Sequence, residues 1–329
     1  MLPIARWLFQ VILLTAVLLN WQYYSAVNTK ISKEFQIVIP YGQPNLSIAR
    51  TLIKEGVFKN TTDFTLTYWL VTGGRTLKAG GYTFKGQVSS RDVLRRLYLG
   101  QVDQYRITIP EGLTNYQIIQ LLQNHPNLEG IITSEYWEKL PEGSFLPETY
   151  YFTLSEDRLK LLQRMQAALE TVINEVWNSR PADFPLNNPR DLIALASIVE
   201  KETGKNEERP RVAAVFFNRL KQKIKLQSDA TVIYGLTLGR FELERSLKRE
   251  DLRNPTPYNT YTNFGLPPTP IANPGKASII AVVHPLQTKE LFFVADGKGG
   301  HSFAENLEQH NKNIQEWLKI IRKPTILNP

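Results

Sequence analysis

The chain has 329 residues, 42% hydrophobic and 21% charged, a balance that supports packed cores and excludes whole-chain disorder. Its 39 Lys and Arg exceed its 31 Asp and Glu, and the formal charge of +8 favours an anionic partner such as nucleic acid, a membrane surface or an acidic polymer, without choosing among them. There is no cysteine, which excludes disulfides, thiolate metal sites and Cys nucleophiles, and the four histidines argue against a His-rich metal centre.

Arg6 is the last charge before Lys30, so Trp7–Thr29 is an uncharged stretch. It is long enough to cross a ~30 Å hydrocarbon layer as a helix. Trp7 at one end and Trp21, Tyr23 and Tyr24 at the other stand where an aromatic belt would lie. The expectation is a single-pass anchor in the plasma (inner) membrane over residues 1–30, with a cytoplasmic N-terminus and the remainder extracytoplasmic. A cleaved signal peptide is the rival: Leu8–Leu19 has a suitable length, but bulky residues follow it and no small-x-small cleavage site appears. A buried soluble helix is the third reading, and a lipid anchor on cysteine is excluded.

An internal repeat follows. Ile37–Gly42 (IVIPYG) resembles Ile107–Gly112 (ITIPEG), and each copy leads through a Pro-x-Gly turn into apolar residues at helical spacing: Ile48, Leu52 and Ile53 in one, Ile118, Leu121 and Leu122 in the other. Residues 31–127 therefore read as a small α/β module of strand, turn, helix, hairpin and a further helix near Arg91–Leu99. Residues 128–329 read as a larger domain, and the fold class as α+β.

In that second domain, Arg158–Asn178 has helical periodicity and stops before Pro181. The next helix is punctuated by Asn188 as N-cap, Pro189 in the first helical position and Asp191 in the first turn, with Gly204 as its C-terminal cap. Leu192–Val199 is apolar nearly all round, which predicts a buried helix. A helix is expected over Pro210–Lys221, then a long ordered loop over Leu252–Gly275. Beyond it come a helix at Ala277–Val283, a strand at Leu291–Ala295, a turn at Asp296–Gly300 and a terminal helix at Glu305–Ile321.

Glu200 stands near the end of the buried helix. Apolar surroundings and the negative end of the helix dipole would both disfavour its anion and raise its pKa, the condition for protonating a leaving oxygen. The plainer reading makes Glu200 and Glu202 surface residues paired with Lys201 and Lys205.

Several runs stand around it in order: Val212–Leu220 (VAAVFFNRL), Leu226–Val232 (LQSDATV), Pro257–Tyr261 (PYNTY), Gly265–Ile271 (GLPPTPI), Asn273–Gly275, Phe292–Gly297 (FFVADG) and Gly300–Phe303 (GHSF). Together they resemble the YceG-like family of endolytic murein transglycosylases, over nearly all the chain after Lys30 and most strongly over Asp191–Asn311. Ala230, Thr256, Thr269 and Glu148 depart from the family's usual Pro, Ser, Gly and Asp.

The resemblance implies a membrane anchor, a LysM-like module and a catalytic domain that cuts the β-1,4 bond between N-acetylmuramic acid and N-acetylglucosamine without water. The implied product is a 1,6-anhydro end, and the implied role is terminating nascent glycan strands, with penicillin-binding synthases as partners. Glu200 takes the place of the catalytic glutamate, with no cofactor or metal. Asn218, Gln227, Asp229, Asn259, Tyr261 and His301 have the chemistry to bind the sugars, or equally to satisfy buried structure.

A non-catalytic peptidoglycan-binding scaffold is the alternative. Nucleic-acid binding rests on charge only, since no recognition motif appears.

Overall fold

The computed structural model describes residues 2–28 and 30–321. The chain forms two compact units. The first comprises Met1–Arg106 with Asn127–Glu129 and Tyr151–Glu156; the second comprises Ile107–Pro126, Gly130–Tyr150 and Asp157–Pro329.

The first unit contains α1 (Leu2–Val27), β1 (Lys30–Ile31), β2 (Phe35–Ile39), α2 (Asn45–Lys54), α3 (Thr61–Thr72), β3 (Gly80–Phe84), β4 (Val88–Ser89) and α4 (Ser90–Leu99). Phe35, Ile37 and Ile39 alternate inward along β2, as a half-buried strand requires. β2 pairs antiparallel with β3, Ile37 opposite the fully buried Tyr82, and β1 pairs with β4. Ile48 and Leu52 of α2, Phe64 of α3, and Leu94 and Leu97 of α4 close the core.

The order is thus strand, helix, helix, strand, and α3 occupies the place where a hairpin was expected. Thr61–Thr72 (TTDFTLTYWLVT) is rich in β-branched and aromatic residues with weak helix propensity. Its ends hold it. The Asn60 side chain accepts from the Asp63 N–H, and Gly73 closes the C-terminus with φ of 62°.

α1 covers 26 residues. Among the described residues, no helix is long and apolar enough to cross a membrane, so the anchor expected over residues 1–30 is not shown by the structure. Thr29, inside the expected span, lies outside the described residues.

β5 (Gln104–Thr108) leads into α5 (Asn115–Gln123), β6 (Leu128–Glu129), α6 (Ser134–Trp137), β7 (Thr149–Thr153) and β8 (Glu156–Asp157). β5 pairs with β7 and β6 with β8. Then follow α7 (Arg158–Asn178), α8 (Pro189–Glu202), α9 (Arg209–Lys221), α10 (Asp229–Thr237), a 3-10 turn (Asp251–Arg253), α11 (Lys276–Val283), β9 (Phe292–Ala295), β10 (His301–Ala304) and α12 (Leu307–Ile321).

The repeat is real at the level of the turn. Gly42 and Gly112 both have positive φ, 76° and 74°, and each precedes a helix. The second copy groups with the second unit, although residues 31–127 were expected to form one module. Hydrogen bonds to the 273 region account for this: Gly112 N–H donates to Asn273 O at 2.9 Å, and Asn273 N–H donates to Leu113 O at 2.8 Å.

α8 is the spine of the second unit. Every residue from Leu192 to Val199 is buried, and α7, α9 and α11 supply the surrounding core. Asn188 caps it by accepting from the Asp191 N–H, as its sequence indicates. Its C-cap is Thr203, one residue before the expected Gly204. β9 and β10 form an antiparallel hairpin that packs Phe293 and Phe303 onto the core.

Candidate active site

Two glutamates leave the end of α8 in different directions. Glu200 turns to a polar socket, not to apolar surroundings. Its Oε1 accepts from Arg209 Nη2 at 2.9 Å, and its Oε2 accepts from Gly275 N–H at 2.9 Å and Ser278 Oγ at 2.8 Å. The side chains of Glu200 and Arg209 are only 6% and 4% exposed. The same guanidinium holds Glu111 at 2.9 Å and also bonds Asn206. Polar partners, not the apolar neighbours expected, surround the Glu200 carboxyl, and Glu200 does not line the cleft described next.

Glu202 does. It sits in a cleft of about 410 Å³ with Gly112, Lys201, Asp229, Tyr234 and Phe241 among its walls. Ser228 Oγ donates to Glu202 Oε1 at 2.5 Å. Burial raises the Glu202 pKa above the usual carboxylate value; Asp229 adds to the rise, while the Ser228 hydroxyl, His301 and Arg219 offset part of it. A carboxylic acid in a cleft with its pKa raised is equipped to give a proton and take it back.

The turn before α10 supplies the rest. Arg219, largely buried, donates to the carbonyls of Lys225 at 3.1 Å, Leu226 at 3.0 Å and Leu291 at 2.6 Å, and to Gln227 Oε1 at 3.3 Å. Gln227 is held at φ 52°, a strained left-handed conformation for a residue with a Cβ. The strain is fixed by Thr260: its carbonyl accepts from Gln227 N–H at 3.2 Å and its Oγ1 from Ser228 N–H at 3.0 Å. Ser228 is thereby aimed at Glu202. Tyr261 Oη donates to Asp229 Oδ1 at 2.6 Å, and burial followed by this bond pushes the Tyr261 pKa up, so it remains a donor. Tyr234 Oη is drawn back from the cleft wall to Glu142 Oε2 at 3.1 Å.

The remaining expected residues separate. Asp229 lines the cleft, and Tyr261 reaches it through Asp229. Gln227 is the exposed, strained member of the turn, tied to Arg219. Asn218 is elsewhere, clamping the carbonyls of Thr288 and Glu290 at 2.9 Å each. Asn259 is fully buried and organises its own loop, donating to the carbonyls of Asp251, Leu252 and Asn254 and accepting from the Tyr261 N–H. His301 Nδ1 lies 2.7 Å from Glu208 Oε2. Burial alone would raise the Glu208 carboxyl, but the side-chain and backbone bonds to His301 hold it below its usual value. Thr269, where the family usually has Gly, bonds Tyr258 Oη at 3.0 Å.

Sequence reasoning did not anticipate Glu202 in the cleft wall or its bond to Ser228. Both lie in runs that were singled out. What was missing was the helix phase.

Fold and cleft together describe an α+β protein with a carboxyl of raised pKa in the wall of an open cleft. The sequence model of the YceG-like family matches residues 37–316, and the chain belongs to that family. It is 30% identical to proteins named endolytic murein transglycosylase, over 86% of this chain and 84% of the Bacillus subtilis protein, and over 87% of this chain and 59% of the Streptococcus pneumoniae protein. The chain thus spans about 59% of the length of the pneumococcal relatives it matches. A crystal structure of a yceG-like protein from Listeria monocytogenes is similar, with TM-score 0.51 and 26% identity over 86% of this chain and 99% of that one.

Proposed function

We propose that the chain is a lytic transglycosylase of peptidoglycan and that Glu202, not Glu200, is its proton donor. One observation carries this reading: the Glu202 carboxyl lies in the cleft, raised in pKa by burial and fixed by the Ser228 hydroxyl. Membership in the YceG-like family and the names of the relatives supply the substrate class.

Glu202 gives its proton to the oxygen bridging N-acetylmuramic acid and N-acetylglucosamine as the C1–O bond breaks. Positive charge develops at C1 of the muramic sugar. The sugar's own 6-hydroxyl attacks C1, and its proton returns to Glu202. The bond count balances without water, so a second carboxylate for activating water is unnecessary. The nucleophile is already part of the bound sugar, and catalysis gains by proximity. In this reading Asp229, which accepts a hydrogen bond from Tyr261, supplies negative charge toward C1.

The proposal extends to the setting. The apolar α1 serves as a single-pass anchor with a cytoplasmic N-terminus; its support is the long uncharged run from Trp7 and the exposure of Trp7, Phe9, Ile12, Leu14 and Leu18. The β2–α2–α3–β3 order supports the reading of a LysM-like glycan-binding module. In this reading the enzyme acts at the outer face of the membrane, ends nascent strands and works beside penicillin-binding synthases.

Cleavage of purified glycan strands in oxygen-18 water tests the reaction. The expected products carry anhydro ends with no label. Label at new reducing ends would mean hydrolysis instead. No cleavage by the full chain, with binding retained, would favour the scaffold reading.

A further inference from the structure

In the first unit, α3 shows solvent a face that a surface helix ordinarily does not. Asp63, Phe64, Thr67 and Tyr68 turn inward, while Thr61, Thr62, Thr65, Leu66, Trp69 and Leu70 turn outward, so the outward face carries no charge. Leu66, Trp69 and Leu70, at i, i+3 and i+4, are 37%, 60% and 55% exposed. The Trp69 ring is braced outward by the backbone at Gly74, where an added Cβ would fall 2.3 Å from it.

Charge surrounds this face without entering it. Exposed Lys59 precedes the helix, and exposed Arg75 and Lys78 follow it. The first unit holds 13 Lys and Arg against 7 Asp and Glu, and 12 against 7, a net +5, once Arg6 at the cytoplasmic end of the anchor is set aside. An apolar strip with an aromatic anchor and a basic border is the pattern of a helix lying in the headgroup region of an anionic bilayer. α1 packs on α3 and α4, and Val27, at its C-terminal end, is buried, with the exposed aromatic Trp21 and Tyr24 close before it in sequence.

We propose that the outer face of α3, through Leu66, Trp69 and Leu70, rests on an anionic lipid surface and holds the first unit against the bilayer that α1 enters. The proposal rests on the anchor reading of α1 and adds to it a second, peripheral contact. The cysteine-free chain makes the test direct.

Leu70→Cys and, as control, Lys54→Cys on α2 are each labelled with a fluorophore in the full chain. Both are reconstituted in vesicles with about one-third phosphatidylglycerol and a headgroup-borne quencher, and the quenching is expected to be at least about threefold stronger at position 70. Leu66→Glu added to the labelled chain should remove the difference. Retention through an alkaline carbonate wash reports α1 separately. A retained chain with equal quenching at both positions overturns the α3 contact and leaves the anchor standing. A chain lost in the wash overturns the anchor and this proposal with it. Self-quenching at position 70 that grows with protein density, without lipid quenching, would identify a second copy as the occupant and overturn the lipid assignment.

Discussion

Glu200 and Glu202 are two residues apart on α8, so their side chains leave the helix about 200° apart. One meets an arginine and two donors, the other a hydroxyl in a cleft. Opposite consequences follow on substitution. Glu200→Gln leaves the buried Arg209 with half its charge compensation, and a loss of about 3 kcal/mol in urea unfolding is expected. Glu202→Gln removes a carboxyl whose folded pKa is raised. Such a group binds its proton more tightly when folded, so the wild type loses stability as pH rises from the ordinary carboxylate value through the raised one. The variant lacks that loss. Its unfolding midpoint should match or exceed wild type near neutral pH, the gap closing in acid.

For the same reason, wild-type cleavage should hold below the raised pKa and fall as pH climbs past it, as for any general acid. A rate that instead rises through that window would count against Glu202 as donor.

At the scale of the element, caps decided what was legible. α7 and α8 stand where Asn188, Pro189 and the proline boundary at Pro181 put them. α3 and α10 were not read as helices, since Thr61–Thr72 and Asp229–Thr237 are rich in Thr, Val, Ile and aromatics, and tertiary packing overrode weak propensity. The face of α8 that carries Glu202 was hidden by burial. With Leu192–Val199 apolar on every side, periodicity gives no hint of which face of α8 opens on the cleft.

The turn before α10 invites two tests. Arg219→Lys keeps the charge but loses the fork that holds three carbonyls, so Ser228 should lose its aim and cleavage should drop more than tenfold for a stability loss of about 1–2 kcal/mol. Cleavage close to the wild-type rate in the folded variant, with the stability loss present, would make Arg219 purely structural. Gly275→Ala is expected to displace Glu111, whose Oε1 would lie 1.8 Å from the new Cβ. Destabilisation by about 1–3 kcal/mol in thermal melts is anticipated.

Across the whole molecule, the positive charge that composition shows is unevenly spread. The second unit holds 26 basic and 24 acidic residues, only +2 of the total. Cleavage of detached glycan strands should therefore vary little between low and physiological salt, while lipid quenching at position 70 weakens as screening increases. The α+β class and the family were legible from the ordered polar motifs. The division of the chain was not, because the strand–turn–helix repeat placed its second copy against residues far along the sequence, through Asn273.

The most direct test compares initial rates of anhydro-product release by wild type, Glu202→Gln and Glu200→Gln, each confirmed as folded by circular dichroism. Removal of a proton-transfer group costs about 10²–10⁴-fold, and that loss is predicted for Glu202→Gln, with folded Glu200→Gln keeping most of its activity. Full activity in Glu202→Gln together with an inactive, folded Glu200→Gln would contradict the account.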